Sequence, residues 1–350
     1  MRRDRISKHT KRRTLYTNET YTQARSSLRP NQPPIPPAEG DEQRHFEADL
    51  FHEVLESHTD FTEFAFGIRR VQPQPTTIEL VVESDQRAGR LLSRILPSYE
   101  PDGEVHCMPG LRIRKYTQRG IEIHVAGRRT SAWLTGVPSG AWKRHELSAL
   151  GHLSDMGWRP LWRGPQQWSD EELAFEQRWN TGSWNQYWQA GAWCSSGLLR
   201  RLGIFQTTTP ADAVTGYKGL GINGYEGLGP VRWCIDIIHR SGIPYRREPL
   251  VAALTDPEFG LPVAPARHLD AIYAEQKDTC IRLDDEIRTG LIELRFQTFN
   301  YPELQLHLCA PEHRKIAEGI ERRIDQALSH GTEARWSVLP ALEPAADYRS

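Results

Sequence analysis

The stretch from Gly216 to Ile238, GYKGLGINGYEGLGPVRWCIDII, contains Gly219-x-Gly221-x-x-Gly224. With that spacing a dinucleotide-binding loop brings backbone N–H groups against a pyrophosphate. The stretch also repeats itself, as Gly216-Tyr-Lys-Gly-Leu-Gly221 and Gly224-Tyr-Glu-Gly-Leu-Gly229. Phosphate binding of this kind needs a strand ending at the first glycine and a helix opening after the last. The upstream flank, QTTTPADAVT, is polar and contains Pro210. Downstream, Val231, Trp233, Ile235 and Ile237 alternate with Arg232, Cys234 and Asp236, a strand pattern. A helical stripe of Val231, Cys234, Ile235 and Ile238 fits the same residues, but the β-branched residues and Trp233 favour the strand. Lys218 is followed by Gly219 rather than Ser or Thr, so no P-loop is formed. The expectation is a glycine-rich lid in which Lys218, Gly219, Gly221, Gly224, Gly227 and Gly229 form a candidate ligand loop over a cleft.

The second concentration of chemistry is cationic. Residues 1–29 hold nine Arg or Lys against Asp4 and Glu19, a net of +7, which leaves −8 for the rest of a chain whose formal charge is −1. A basic arm on an acidic body suits an anionic partner, and nucleic acid is the partner expected for Arg2, Arg3, Arg5, Lys8, Lys11, Arg12 and Arg13. Asp4 and then Asn18 or Thr20 supply caps for two short helices, which are too small to fold alone and are expected to order on a partner.

The other residue types that could do chemistry do not complete a catalytic pattern. Cys194, Ser195 and Ser196 in WCSSG do not form a nucleophile elbow. Glu79, Glu83, Asp85 and Glu293 lie on strand-like segments but lack the lysine of a metal-dependent nuclease motif. His52 and His58 miss the spacing of a zinc-protease helix, and His145 and His152 lack a third ligand. Seven of the eleven tryptophans fall between Trp158 and Trp193. Trp179, Trp184, Trp188 and Trp193, with Tyr187, do not converge on one helical face and read as core anchors rather than a stacking platform. The five cysteines, Cys107, Cys194, Cys234, Cys280 and Cys309, are scattered, as reduced thiols are. No metal site and no cofactor is expected. No apolar run approaches a membrane span, and MRRDRISKHTKRR is not a secretory signal, so a cytoplasmic location away from membranes is expected.

The opening, RISKHTKRR followed by YTNETYTQARSSL, resembles a short N-terminal segment of plasmid- and mobile-element-associated proteins of actinomycetes. The stretch LVAALTDPEFGLP is similar to one in uncharacterised proteins of that origin. The resemblance implies a genetic context, covers about a tenth of the chain, and carries over no activity and no site residue.

The elements that must position these residues fall into an α+β plan of two small mixed α/β domains, with an N-terminal basic arm and a Pro-rich linker. The arm is 1–28. Residues 29–43 are the linker, since five prolines within positions 30–37 impose an extended backbone. Residues 44–165 read as α-β-β-α-β-β-β-α-β, which favours helices on one face of a sheet over a doubly wound fold. Strands are expected at FTEFAFGIRRV and TTIELVVES, a hairpin at LRIRKYT-QRG-IEIHVAG, and a helix from Ser139 to a stop at Gly157. Residues 166–330 begin with a helix capped by Ser169 with Glu172 in the capping-box position, and continue with strands at CIRL, LIELRF and LQLHLC and a last amphipathic helix from Pro311. Residues 331–350 read as a flexible tail. The leading expectation is a nucleic-acid-associated adaptor with an additional protein partner. The alternatives are an enzyme lidded by residues 216–229 and a toxin- or immunity-type interaction protein.

Overall fold

The computed structural model describes residues 2–56, 62–181, 183–208, 213–220, 231–240, 247–265, 280–284, 289–299 and 318–322. The protein is α+β, as its sequence pattern indicates. Three helices lead: α1 (Arg2–Thr17), α2 (Tyr21–Ser27) and α3 (Gly40–Glu56). The next unit comprises β1 (Ile68–Gln74), β2 (Thr77–Val82), α4 (Asp85–Ile95), β3 (Ser98–Tyr99), β4 (Val105–His106), β5 (Leu111–Thr117), β6 (Gly120–Val125), β7 (Ala132–Thr135), α5 (Ser139–Met156) and β8 (Arg159–Pro160). There follow α6 (Asp170–Thr181), α7 (Ser183–Leu199), α8 (Ile204–Thr207), β9 (Ala213–Leu220), β10 (Val231–Arg240), α9 (Arg247–Leu254), β11 (Ala264–Pro265), β12 (Cys280–Asp284) and β13 (Gly290–Phe299).

The first sheet has the order β1-β2-β7-β6-β5, antiparallel except for the β2–β7 pair. Strand alternation sends Ile78, Leu80, Ile121, Ile123, Ala132 and Leu134 to one face, where all are fully buried. The helices α4 and α5 cover that face, supplying Ala88, Leu91, Leu92, Ile95 and Trp142. Ser84 caps α4 through the Arg87 N–H at 3.1 Å, and Gly157, at φ 71°, closes α5 in the left-handed conformation that glycine tolerates.

One expected strand start is corrected. Phe64, Phe66 and Ile68 do not alternate along a strand: Ala65–Gly67 is a 3-10 turn with Phe66 at φ 56° and Gly67 at φ 66°. Two features hold the turn. The Phe66 ring packs edge-on to Phe51 and Phe205, and the Phe66 carbonyl accepts from the buried Arg87 guanidinium at 2.7 Å.

The second five-stranded sheet runs β11-β12-β13-β10-β9, with a long parallel β10–β13 pair at its centre. It is backed by α3 and α7, so α3 serves both halves. Phe51 on α3 lies 4.8 Å from the Trp233 ring on β10, and Trp188 on α7 lies 5.8 Å from it. Buried apolar side chains from Tyr16 to Phe296 form one connected cluster. Each large side chain moved into it contributes about 1.5–3 kcal/mol.

The Pro-rich segment, expected as a spacer, is seated against the β1–β2 turn. Pro34, Ile35, Pro36 and Ala38 are buried, and the Glu39 N–H donates to the Pro75 carbonyl at 2.7 Å. A polyproline-like chain leaves its carbonyls unpaired, and two buried arginines each take up one of them together with a carbonyl of β1. Arg13 donates to the Pro34 and Pro73 carbonyls, and Arg200 to those of Pro36 (2.8 Å) and Gln74 (2.9 Å). The expected strand LQLHLC and the tail 331–350 lie outside the described residues; of the last helix, residues 318–322 are described and are helical.

Candidate functional site

The basic arm is a docked helix. Its inner face carries Thr10, Arg13, Tyr16 and Thr17, all fully buried. Arg13 pairs with Glu19 at 2.6 Å, with neither side chain exposed. The Tyr16 hydroxyl donates to the Ala253 carbonyl at 2.9 Å, and its ring stacks on Phe259. Burial raises the Tyr16 pKa above the ordinary phenol value, and the nearby Asp256 carboxylate adds to the rise. At Gly203 the backbone of the α7–α8 turn meets the end of α1: its N–H donates to the Tyr16 carbonyl at 2.8 Å, and a Cβ there would fall 2.7 Å from Tyr16 and Asn18 backbone atoms.

This docking sorts the seven candidate nucleic-acid contacts. Arg13 is interior, and Arg12 pairs with the buried Asp256 while its guanidinium covers the Phe259 ring at 4.8 Å. Arg5 is 77 % exposed and lies 3.7 Å from Glu258, which also receives His9 at 3.2 Å. Lys8 and Lys11 stand exposed on the outward face, and the side chains of Arg2 and Arg3 are outside the description. The acidic turn that takes Arg12, His9 and Arg5 is held by its own Asx contacts, with the Asp256 carboxylate accepting from the Glu258 and Phe259 N–H groups at 3.0 and 2.8 Å.

The glycine-rich stretch is corrected from loop to strand over its first half. Gly216 to Leu220 belong to β9, which pairs antiparallel with β10, placing Lys218 opposite Trp233 and Gly219 opposite Arg232. Residues 231–240 are strand, so the element after the glycines is no helix N-terminus, and the dinucleotide reading has no anion site there. Gly221, Gly224, Gly227 and Gly229 lie outside the described residues.

The other singled-out residues are dispersed. Trp188 donates to Asp49 and Trp193 to Thr289, each at 2.8 Å, as anchors between elements, while Trp179 is 40 % exposed and stacked on Phe175. Ser196 donates to Glu47 at 2.6 Å. Glu83 accepts from the Phe64 N–H at 2.9 Å; burial raises its pKa to about 7, Glu63 adding to the rise while the Phe64 N–H, Arg87 and Arg69 oppose it. Asp85 meets His145 at 3.1 Å and Arg144 at 3.3 Å, and Glu293 meets Arg295 at 2.6 Å. His152 is exposed. A trio that the sequence did not single out, Glu100, Glu104 and His106, brings ligand atoms within 4.8 Å of one another on the β3–β4 hairpin. There His106 contacts Glu100 at 3.1 Å and stacks on Trp158 at 4.6 Å.

A different site is built on the outer face of the first sheet. The register sets Glu79 on β2 beside Trp133 on β7, and Glu122 on β6 on the other flank of Trp133. The Thr135 hydroxyl donates to Glu79 Oε1 at 2.8 Å. Lys115 Nζ sits 5.0 Å from the Trp133 ring centre and 3.1 Å from Glu122, which also accepts from Arg114 and Ser131. Burial opposes charge on Glu122, but the bonds from Lys115 and Ser131 and the charge of Arg114 overcome it and hold its pKa below the ordinary carboxylate value. An open pocket of about 440 Å³ is lined by Glu79, Trp133, Thr135 and the β5–β6 hairpin residues Thr117, Gln118 and Arg119. Sequence reasoning named Glu79 as a carboxylate and Arg119 only as a residue of the hairpin turn, and did not single out Trp133. The available signal was alternation: in TTIELVVES and SAWLTG, Glu79 and Trp133 occupy the positions opposite the apolar ones.

Comparison of the chain with protein-family models, curated proteins and solved structures found no match. The fold and site define an α+β protein with a docked basic helix and an aromatic, polar sheet face. Among the described residues no helix is long and apolar enough to cross a membrane.

Proposed function

We propose that this is a nucleic-acid-associated binding protein, of a mobile-element context, that meets the phosphate backbone through the outer face of α1. The observation that supports the reading is the division of labour on that helix. Its inner arginine is committed to Glu19 and backbone carbonyls, while Arg5, Lys8 and Lys11 stay exposed on a helix already fixed in place. A contact surface ordered before binding avoids the entropy of folding onto its partner. Lysine and arginine contacts to phosphate carry affinity without sequence information.

The test is oligonucleotide binding by Lys8→Glu/Lys11→Glu against the unaltered chain, at several salt concentrations. The reading expects affinity that falls with salt and is lost in the double variant. Binding that is insensitive to both would overturn it. Removal of residues 1–28 is the poorer experiment, because it also strips Tyr16 and Arg13 from the core.

A further inference from the structure

We infer that the pocket on the outer face of the first sheet is a nucleobase site that prefers guanine, with Trp133 as the stacking wall, Glu79 as the base-edge acceptor and Arg119 as the phosphate contact. The inference rests on the proposed function and supplies what α1 cannot, a means of reading a base. Stacking is the first component. A half-buried indole on a sheet face is a platform for an unpaired base. Lys115, tied to Glu122, covers Trp133 from the β6 side. The pocket is lined by Glu79 from the β2 side and by Thr117, Gln118 and Arg119 from the β5–β6 hairpin, and not by Glu122 or Lys115, so the Lys115–Glu122 pair does not occupy it.

Edge recognition is the second component. A carboxylate only accepts, and each of its oxygens has two lone pairs. Thr135 fixes the orientation of Glu79 through Oε1 without saturating it, and no described residue bonds Oε2, which faces a ligand's donors. Guanine presents two adjacent N–H donors on its pairing edge, N1–H and the N2 amino group. Uracil presents one donor between two carbonyls, and adenine and cytosine set an acceptor beside their amino group. Two donors side by side match a carboxylate, and the other edges bring an oxygen or nitrogen lone pair against it. The third component is charge. Arg119 and Gln118 form the two-residue tip joining Thr117 to Gly120, are exposed, and line the same pocket. A guanidinium there can meet a phosphate in bidentate fashion. The pocket volume of about 440 Å³ is within the ordinary range of small-molecule sites.

The experiment is isothermal titration of the full chain with guanosine 5′-monophosphate, uridine 5′-monophosphate and guanosine. Guanosine monophosphate is expected to bind at least tenfold more tightly than uridine monophosphate. Trp133→Ala should weaken it roughly 5- to 150-fold, the span reported by stacking deletions, with recovery in Trp133→Phe. Glu79→Gln should narrow the guanine preference. Arg119→Ala should weaken the monophosphate and leave guanosine unchanged. Equal affinities for the two monophosphates, or guanosine monophosphate binding that survives Trp133→Ala, would overturn the inference. Its failure is separable from that of the proposed function: the pocket variants should leave salt-dependent oligonucleotide binding in place, and Lys8→Glu/Lys11→Glu should leave mononucleotide binding in place.

Discussion

Removing Glu47 should cost this protein a large part of its stability, and the structure says by how much. The carboxylate is fully buried and accepts four bonds: from Arg200 Nε at 2.7 Å, Arg200 Nη2 at 2.5 Å, Ser196 Oγ at 2.6 Å and Gln43 Nε2 at 2.8 Å. In Glu47→Ala the Arg200 cation, also buried, keeps only the Pro36 and Gln74 carbonyls among the described residues. Breaking one partner out of a buried pair costs about 3–5 kcal/mol. The Ser196 hydroxyl loses its acceptor as well, for about another 1–3 kcal/mol. Gln43 is partly insulated, because its amide also bonds both the Ser131 carbonyl and the Ser131 N–H. The sum, about 4–8 kcal/mol, is comparable with the whole net stability of many domains, about 5–15 kcal/mol. Urea unfolding followed by far-ultraviolet circular dichroism reads it as a fall in the midpoint. The companion variant Glu47→Leu/Arg200→Met removes both charges and should recover most of the loss. A Glu47→Ala protein within about 1 kcal/mol of the unaltered chain, or a double variant as unstable as the single one, would refute the reasoning.

The remaining predictions concern titration, packing and thiol chemistry. Glu83 binds its proton more tightly when folded, with a pKa of about 7 against 4.5, so its contribution to stability is complete below about pH 4.5 and is lost as pH rises through 7. Glu83→Gln should therefore stabilise at pH 8, by on the order of 3 kcal/mol, and change little at pH 4; equal effects at both would contradict the assignment. Gly203→Ala should force α1 off the α7–α8 turn, read as faster proteolysis within residues 1–17, because its Cβ meets the Tyr16 and Asn18 backbone at 2.7 Å. Burial pushes the Cys107 thiol up to about 12, so at pH 8 it should react with a disulfide reagent far more slowly in the folded chain than in urea. Equal rates would show that the thiol is not held as the structure places it.

Local and periodic signals were legible in the sequence. The first sheet and its two helices follow from alternation in TTIELVVES and IEIHVAG, and from the Gly157 stop. Capping chemistry located Ser169 and Glu172, whose reciprocal bonds measure 2.9 and 3.2 Å, and Thr20, whose box with Gln23 opens α2. The alternation after Pro230 identified β10. What was not legible depends on pairs remote in the chain. Arg13 reads as one more cation in a basic run, and only Glu19, Pro34 and Pro73 brought around it make it interior. The prolines read as a spacer because nothing local announces that Arg200, more than a hundred residues away, takes the Pro36 carbonyl. Gly216 and Gly219 argue against a strand by propensity, and pairing with the apolar β10 overrides that preference. The pocket was half visible: Glu79 was named for its charge, but its neighbour Trp133 is set beside it by a parallel β2–β7 pairing that no turn in the sequence specifies.

The salt dependence of oligonucleotide binding tests the central proposal most directly. With Arg12 and Arg13 held internally, at most five of the seven candidate residues, Arg2, Arg3, Arg5, Lys8 and Lys11, can meet phosphate. The logarithmic slope on duplex DNA should then be no steeper than about −4.5, against about −6 for a free arm using all seven. Lys8→Glu/Lys11→Glu should flatten it by at least about 2. A slope near zero, or one that the double variant leaves unchanged, would contradict the proposal.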